Sequence, residues 1–182
     1  MDKGAPPAAG HAGPGQYLTF LLAAERFAMP TGPIREIVGF SSLTEVPLMP
    51  DFLRGVINVR GAVVPVMDLS LRLGLDATVF GKRTCVVILD LRHRKKIWSV
   101  GALVDAAHAV ATLDASRFDQ PAVAHPRIPP EFIHGTLELD GRPVISLDIQ
   151  RIFEAEELVE LVGGAGSRHV AVAFSGEREG MP

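Results

Sequence analysis

Residues 50–74 can be laid on residues 130–154 at a constant offset of 80 positions, without a gap. Six identities result: Pro50/Pro130, Phe52/Phe132, Gly55/Gly135, Gly61/Gly141, Val64/Val144 and Asp68/Asp148. Conservative pairs lie between them, among them Leu53/Ile133, Ile57/Leu137, Val59/Leu139 and Leu69/Ile149. Such an offset signals one structural unit used twice. Each copy reads as a helical turn, a strand, a Gly-centred turn, a second strand and an acidic cap. A repeat period of about 80 residues is the size of a small barrel that is marginal alone and gains by packing on its twin. The copies differ at the turn: Asn58 and Arg60 in the first become Glu138 and Asp140 in the second. Two similar turns therefore present opposite charge.

The segments around the repeat are also strand-like. Runs rich in Val, Ile and Leu occur at 17–23, 55–59, 62–69, 84–91, 97–104, 135–139 and 142–147, each bounded by Gly, Pro, Asp or charges. That is the pattern of an all-β barrel or sandwich. Asp140-Gly141 supplies the positive φ angles of a type I′ hairpin, and Arg60-Gly61 sits in a similar place. Residues 50–53 and 130–133 open on proline followed by an acid, the signature of a single helical turn. Asp68 and Asp148 each follow a strand and are placed to cap what comes next. Beyond Asp148, the spacing of Ile149, Ile152, Phe153, Leu158 and Leu161 predicts a C-terminal helix ending near Gly163-Gly164. Residues 1–15, dominated by Gly, Pro and Ala, predict a disordered tail, 16–161 a folded unit, and 162–182 a flexible tail in which 169–174 could add an edge strand.

Chemistry-bearing patterns are scarce. A balance of 18 basic to 21 acidic residues gives −3 and supplies no domain-wide phosphate-binding surface, so nucleic acid is a poor partner. With one Trp and one Tyr, the chain is also short of aromatic stacking platforms. The apolar run 17–24 is far shorter than the roughly 20 residues of a membrane span, and no positive leader precedes it, which predicts a cytoplasmic protein without membrane insertion. Cys85 is the single cysteine and lies in an apolar strand pattern, which reads as a small packed hydrophobe and leaves a thiol nucleophile as the lesser alternative. The six histidines show no metal-ligand spacing, and no nucleophile elbow, phosphate loop or dinucleotide fingerprint is present. The run Arg92, His93, Arg94, Lys95, Lys96 reads as a solvated hairpin loop, with an acid-docking patch as the sharper alternative. By elimination the chain reads as a binding module with no catalysis, metal or cofactor.

The run from Phe52 to Leu69, FLRGVINVRGAVVPVMDL, closely resembles the signature of the CheW coupling proteins of bacterial chemotaxis. The likeness extends from Gln16 to about Leu161 and takes in Ile34-Arg35-Glu36-Ile37-Val38, the segment 100–105 and the Asp140-Gly141 hairpin. The resemblance implies two five-stranded SH3-like barrels packed around a shared apolar seam, with short helical turns and a C-terminal helix. It implies a non-enzymatic adaptor joining the cytoplasmic tips of chemoreceptors, the methyl-accepting chemotaxis proteins, to the regulatory domain of the histidine kinase CheA. Arg60, Asn58 and Glu36 match family positions tied to receptor or kinase contact, with Gly55 and Gly61 allowing close backbone approach. Ile34, Cys85 and Val86 match walls of an apolar groove that takes a receptor helix. An internal Arg60–Glu36 ion pair that braces the turn is the competing reading, and the two roles can coexist. Cys85 in place of a branched residue, the longer basic hairpin and the tail beyond Leu161 depart from the family pattern. They leave open a related pathway of surface motility or biofilm signalling, or an unrelated small-barrel peptide binder.

Overall fold

The computed structural model describes residues 14–93, 95–119 and 125–154. Ten strands form two five-stranded sheets. β1 (Pro14–Leu22) and β2 (Glu25–Pro30) make a hairpin, and the chain then crosses into the other sheet. There it forms β3 (Ile34–Gly39), β4 (Leu53–Val59), β5 (Ala62–Asp68), the short helix α1 (Leu69–Arg72), β6 (Cys85–His93) and β7 (Lys96–Val104). β8 (Ala106–Asp114), β9 (Ile133–Leu139), β10 (Arg142–Leu147) and α2 (Ile149–Ile152) then return to the sheet that β1 and β2 began.

The strand orders are β3-β6-β7-β5-β4 and β8-β1-β2-β10-β9. Substituting β8, β9, β10, β1, β2 for β3, β4, β5, β6, β7 turns the first order into the second. The two units are thus circular permutations of one topology, and the N-terminal hairpin completes the second unit. The repeat at offset 80 is its legible part. Leu53 pairs Met67 and Gly55 pairs Val66 across a bulge; Ile133 pairs Leu147 and Gly135 pairs Ser146 across the same bulge 80 positions on. Asp68 N–H donates to Phe52 O at 2.7 Å, and Asp148 N–H to Phe132 O at 2.9 Å. Both aspartates cap as the sequence implies, Asp68 accepting from Leu71 N and Asp148 from Arg151 N.

Each sheet curls until its edges meet. Thr44, downstream of β3, exchanges two backbone hydrogen bonds of 2.9 Å with Val56 on β4. Asp119, downstream of β8, does the same with Thr136 on β9, at 2.8 and 3.1 Å. The residues just before these bridges are Gly55 and Gly135. A Cβ on Gly55 would overlap the Thr44 carbonyl oxygen, and one on Gly135 would lie 2.8 Å from Phe118 Cβ and 3.0 Å from Asp119 O. Glycine recurs in the repeat because the closing chain crosses there in contact with the backbone.

Alternation along the strands sorts the apolar side chains into three bodies. Val59, Val64, Val66, Val86, Ile88 and Leu103 fill the first barrel. Tyr17, Ala28, Leu113 and Val144 fill the second. The largest cluster lies between them and draws equivalent residues from both copies: Leu53 and Ile133, Met67 and Leu147, Leu69 and Ile149, Leu73 and Phe153. Arg72 sits where the copies meet. Its guanidinium lies 5.1 Å from the Phe52 ring and 5.2 Å from the Phe132 ring, and its Nε donates to Ile152 O at 3.0 Å.

The described part of the predicted C-terminal helix is the four-residue α2, stopped at Phe153, whose φ of −103° and ψ of 47° leave the helical region. The remainder of that helix, the 1–13 tail, the 162–182 tail and the edge strand at 169–174 lie outside the described residues. β1 starts at Pro14, two residues inside the stretch read as tail. Residues 50–53 form a hydrogen-bonded turn, with Leu53 N–H donating to Pro50 O, whereas Pro130–Phe132 is a 3-10 turn. No helix among the described residues is long and apolar enough to cross a membrane.

Candidate functional site

The β4–β5 hairpin carries the site. Its turn places Arg60 at φ 51° and Gly61 at φ 86°, the type I′ geometry that matches the twist of the flanking strands. Asn58 Oδ1 accepts a 2.9 Å hydrogen bond from Gly61 N–H and fixes the turn. Asp140 and Gly141 adopt the same geometry in the second barrel, at φ 52° and 73°.

Arg60 projects from this turn with its side chain 82% exposed, and its Nε and Nη2 donate to Glu36 Oε2 at 3.3 and 3.2 Å. Glu36 comes from β3 and is only 21% exposed. Its other oxygen, Oε1, lies 3.6 Å from Arg35 Nε. Arg35 is in turn anchored, with Nη1 donating to Ser99 Oγ at 3.2 Å and standing 3.6 Å from Asp90 Oδ1. Ser99 Oγ donates to the same Asp90 oxygen at 2.7 Å. Arg35, Glu36, Val59, Arg60 and Ala62 line an open depression of about 430 Å³. The site offers guanidinium forks, one carboxylate and a valine floor. Such a set can pair carboxylates and backbone carbonyls through its guanidinium donors.

The structure brings together Arg60, Glu36, Asn58 and Gly61, and it separates the remaining candidates from them. Gly55 is buried, and the backbone it approaches is this chain's own Thr44. Val86 is 1% exposed inside the first barrel, so it walls no groove open to a partner. Cys85, its neighbour on β6, belongs to the cluster between the barrels, because successive strand residues face opposite ways. Burial pushes the Cys85 thiol up from its ordinary range, only partly opposed by a hydrogen bond from the Ala107 backbone. Ile34 is half-buried against the inter-barrel cluster at the start of β3. Among the described residues no group of three or more His, Cys, Asp or Glu could hold a metal ion.

Two features of the first barrel escape the sequence. Asp68, fully buried, does more than cap α1: it accepts from Arg54 Nη1 at 2.9 Å, Thr78 N–H at 3.0 Å and Thr78 Oγ1 at 3.1 Å. This saturated carboxylate fastens the chain after α1 to the base of the hairpin. Arg35, with Ser99 and Asp90, joins the site through a register shift that no residue type announces.

The model of the CheW-like domain matches residues 16–157. The chemotaxis protein CheW of Rhizobium meliloti is 32% identical over 146 residues, covering 78% of this chain and 89% of that protein. CheW of Klebsiella aerogenes is 28% identical over 154 residues, covering 85% and 90%. Among solved structures, the scaffolding protein TtCheW of Thermoanaerobacter tengcongensis superposes with a TM-score of 0.68 at 27% identity, covering 84% of this chain and 95% of its own. Two permuted five-stranded barrels, the hairpin run from Phe52 to Leu69 and these matches have one common reading: the chain belongs to the CheW-like domain family.

Proposed function

We propose that the protein is a non-enzymatic, cytoplasmic signalling adaptor that couples chemoreceptor cytoplasmic tips to the regulatory domain of the histidine kinase CheA in chemotaxis, with residues 16–161 as the working unit. The observation that carries this reading is the pair of equivalent hairpins with unlike tips. One presents Arg60 over Glu36, the other Asp140 beside Glu138. A duplicated scaffold with two opposite charge signatures suits a molecule that holds two different partners. Family membership supports the same assignment.

Arg60, Asn58, Glu36 and Gly61 form the receptor- or kinase-contacting tip in this reading. Ile34, half-buried beside the inter-barrel cluster, remains a candidate for apolar contact with a partner, whereas Cys85, Gly55 and Val86 are buried and serve the packing of the scaffold that carries the tip. An exposed ion pair contributes only about 0–1 kcal/mol to stability, so Arg60–Glu36 is poorly explained as a brace alone. It holds an exposed guanidinium in one orientation, ready to pair a carboxylate or carbonyl bidentately. The test is co-sedimentation of the full chain with a chemoreceptor cytoplasmic fragment and with the kinase regulatory domain, separately. Arg60→Glu is expected to lower one of the two associations about tenfold or more while the melting temperature stays nearly unchanged. A large drop in melting temperature with both associations retained would make the pair a structural brace.

A further inference from the structure

Neighbouring residues on a regular strand face opposite ways, yet Arg35 and Glu36 both line the depression at the β4–β5 turn. The reason is a bulge. β3 pairs Ile34 with Leu89 and Glu36 with Ile88, so Arg35 is the extra residue, left without a partner on β6. A bulge of this kind re-aims a side chain, and here it turns Arg35 onto the face of Glu36. The redirected guanidinium is then held by Ser99 and Asp90, which lie opposite each other on the β6–β7 hairpin. Two residues further along the same two strands, and therefore on the same face, Arg92 pairs with Ile97. Arg92 is exposed, and so is Ile97, at 61%.

We infer that Arg35 is a second partner-reading arginine and that the docking surface runs from Arg60 through Arg35 to Arg92 and Ile97. It receives a protein segment that presents carboxylates beside an apolar side chain. The inference rests on the reading of the Arg60 tip as a partner site and deepens it. Charge supports it: three guanidiniums share this face with two carboxylates, and both acids are already engaged, Glu36 by Arg60 and Asp90 by Ser99. Glu36 is shared by Arg60 and Arg35, and Asp90 also stands beside Arg35, so three positive charges face two negative ones and a partner's carboxylate would neutralise the excess. Ile97 supplies the apolar contact at the far end.

The experiment measures binding of a chemoreceptor cytoplasmic-tip fragment to the full chain at low and high salt, for Arg35→Gln, Arg35→Lys, Arg92→Gln and Arg60→Ala. A second arm uses the same fragment with its acidic residues converted to amides. Arg35→Gln and Arg92→Gln are each expected to weaken binding about three- to tenfold at low salt, with the loss shrinking as salt rises. Arg35→Lys should recover part of the loss, and the amide fragment should no longer distinguish the glutamine variants from the native chain. A merely structural role for Arg35 would lower the melting temperature and leave the salt dependence of binding untouched. If both glutamine variants bind as the native chain does while Arg60→Ala weakens binding, the extended surface is wrong and the Arg60 site stands. If Arg60→Ala also binds normally, the site reading falls and the extension falls with it.

Discussion

Arg60 occupies a backbone conformation that ordinarily favours glycine. At φ 51° an L-residue is about 1–2 kcal/mol less stable than in the right-handed region, and a glycine there would satisfy the fold without that cost. Retaining arginine at that position makes sense if the guanidinium is used. Arg60→Gly is therefore expected to leave the melting temperature unchanged or raised while partner binding is lost, which calorimetry and co-sedimentation read together. Cys85 gives the opposite case, a residue whose chemistry is suppressed. Because burial raises its thiol pKa, the folded state favours the neutral form. That contribution to stability is present below the free-thiol range near pH 8.5 and is lost as pH rises through the folded value. Alkylation of the folded protein should consequently lag behind that of the unfolded chain between about pH 7 and 9. Equal rates would place the thiol in solvent.

Glycine positions separate two uses of the same residue within the hairpin element. Gly61 has open space where a Cβ would go and needs only its positive φ, so Gly61→Ala should cost about 1–2 kcal/mol. Gly55 combines φ 152° with a backbone crossing, and Gly55→Ala should cost about 2–4 kcal/mol through overpacking and strain. Denaturant midpoints rank the two, and equal costs would mean the crossing at Thr44 is looser than described. The element scale also explains which strands the sequence discloses. β4, β5, β9 and β10 are legible because Gly-centred turns, short apolar runs and the offset of 80 mark them. The β1–β2 hairpin turns on Ala23 and Ala24 at φ 49° and 64°, residues that carry no turn signal. What holds that turn is Asp105, whose Oδ2 accepts from Ala23 N–H at 2.9 Å from 82 positions away. β8 is alanine-rich, and the bulge that aims Arg35 is a property of register. Thus Arg60, Asn58 and Glu36 are readable from a motif, whereas Arg35, Ser99 and Asp90 become neighbours only when β3, β6 and β7 are laid side by side.

At the scale of the molecule, the offset of 80 reveals that a unit is repeated but conceals how the chain is threaded. One barrel is continuous from β3 to β7; the other needs both ends of the chain. Loop closure and the large cluster between the barrels therefore make the two units interdependent. Arg72, packed against Phe52 of one copy and Phe132 of the other, bonds across that junction. Arg72→Ala should lower stability by about 1–3 kcal/mol in a single cooperative transition seen alike by Trp98 fluorescence and by circular dichroism. Two separated transitions would show that the barrels fold independently. A rigid, permuted pair of barrels fixes the distance between its two unlike hairpin tips, which is what an adaptor requires if it is to hold two partners at once. The most direct test adds receptor cytoplasmic fragment and kinase regulatory domain together to the full chain and measures the stoichiometry by analytical ultracentrifugation. One complex containing all three components is the predicted result; mutually exclusive binding of receptor and kinase would contradict the account.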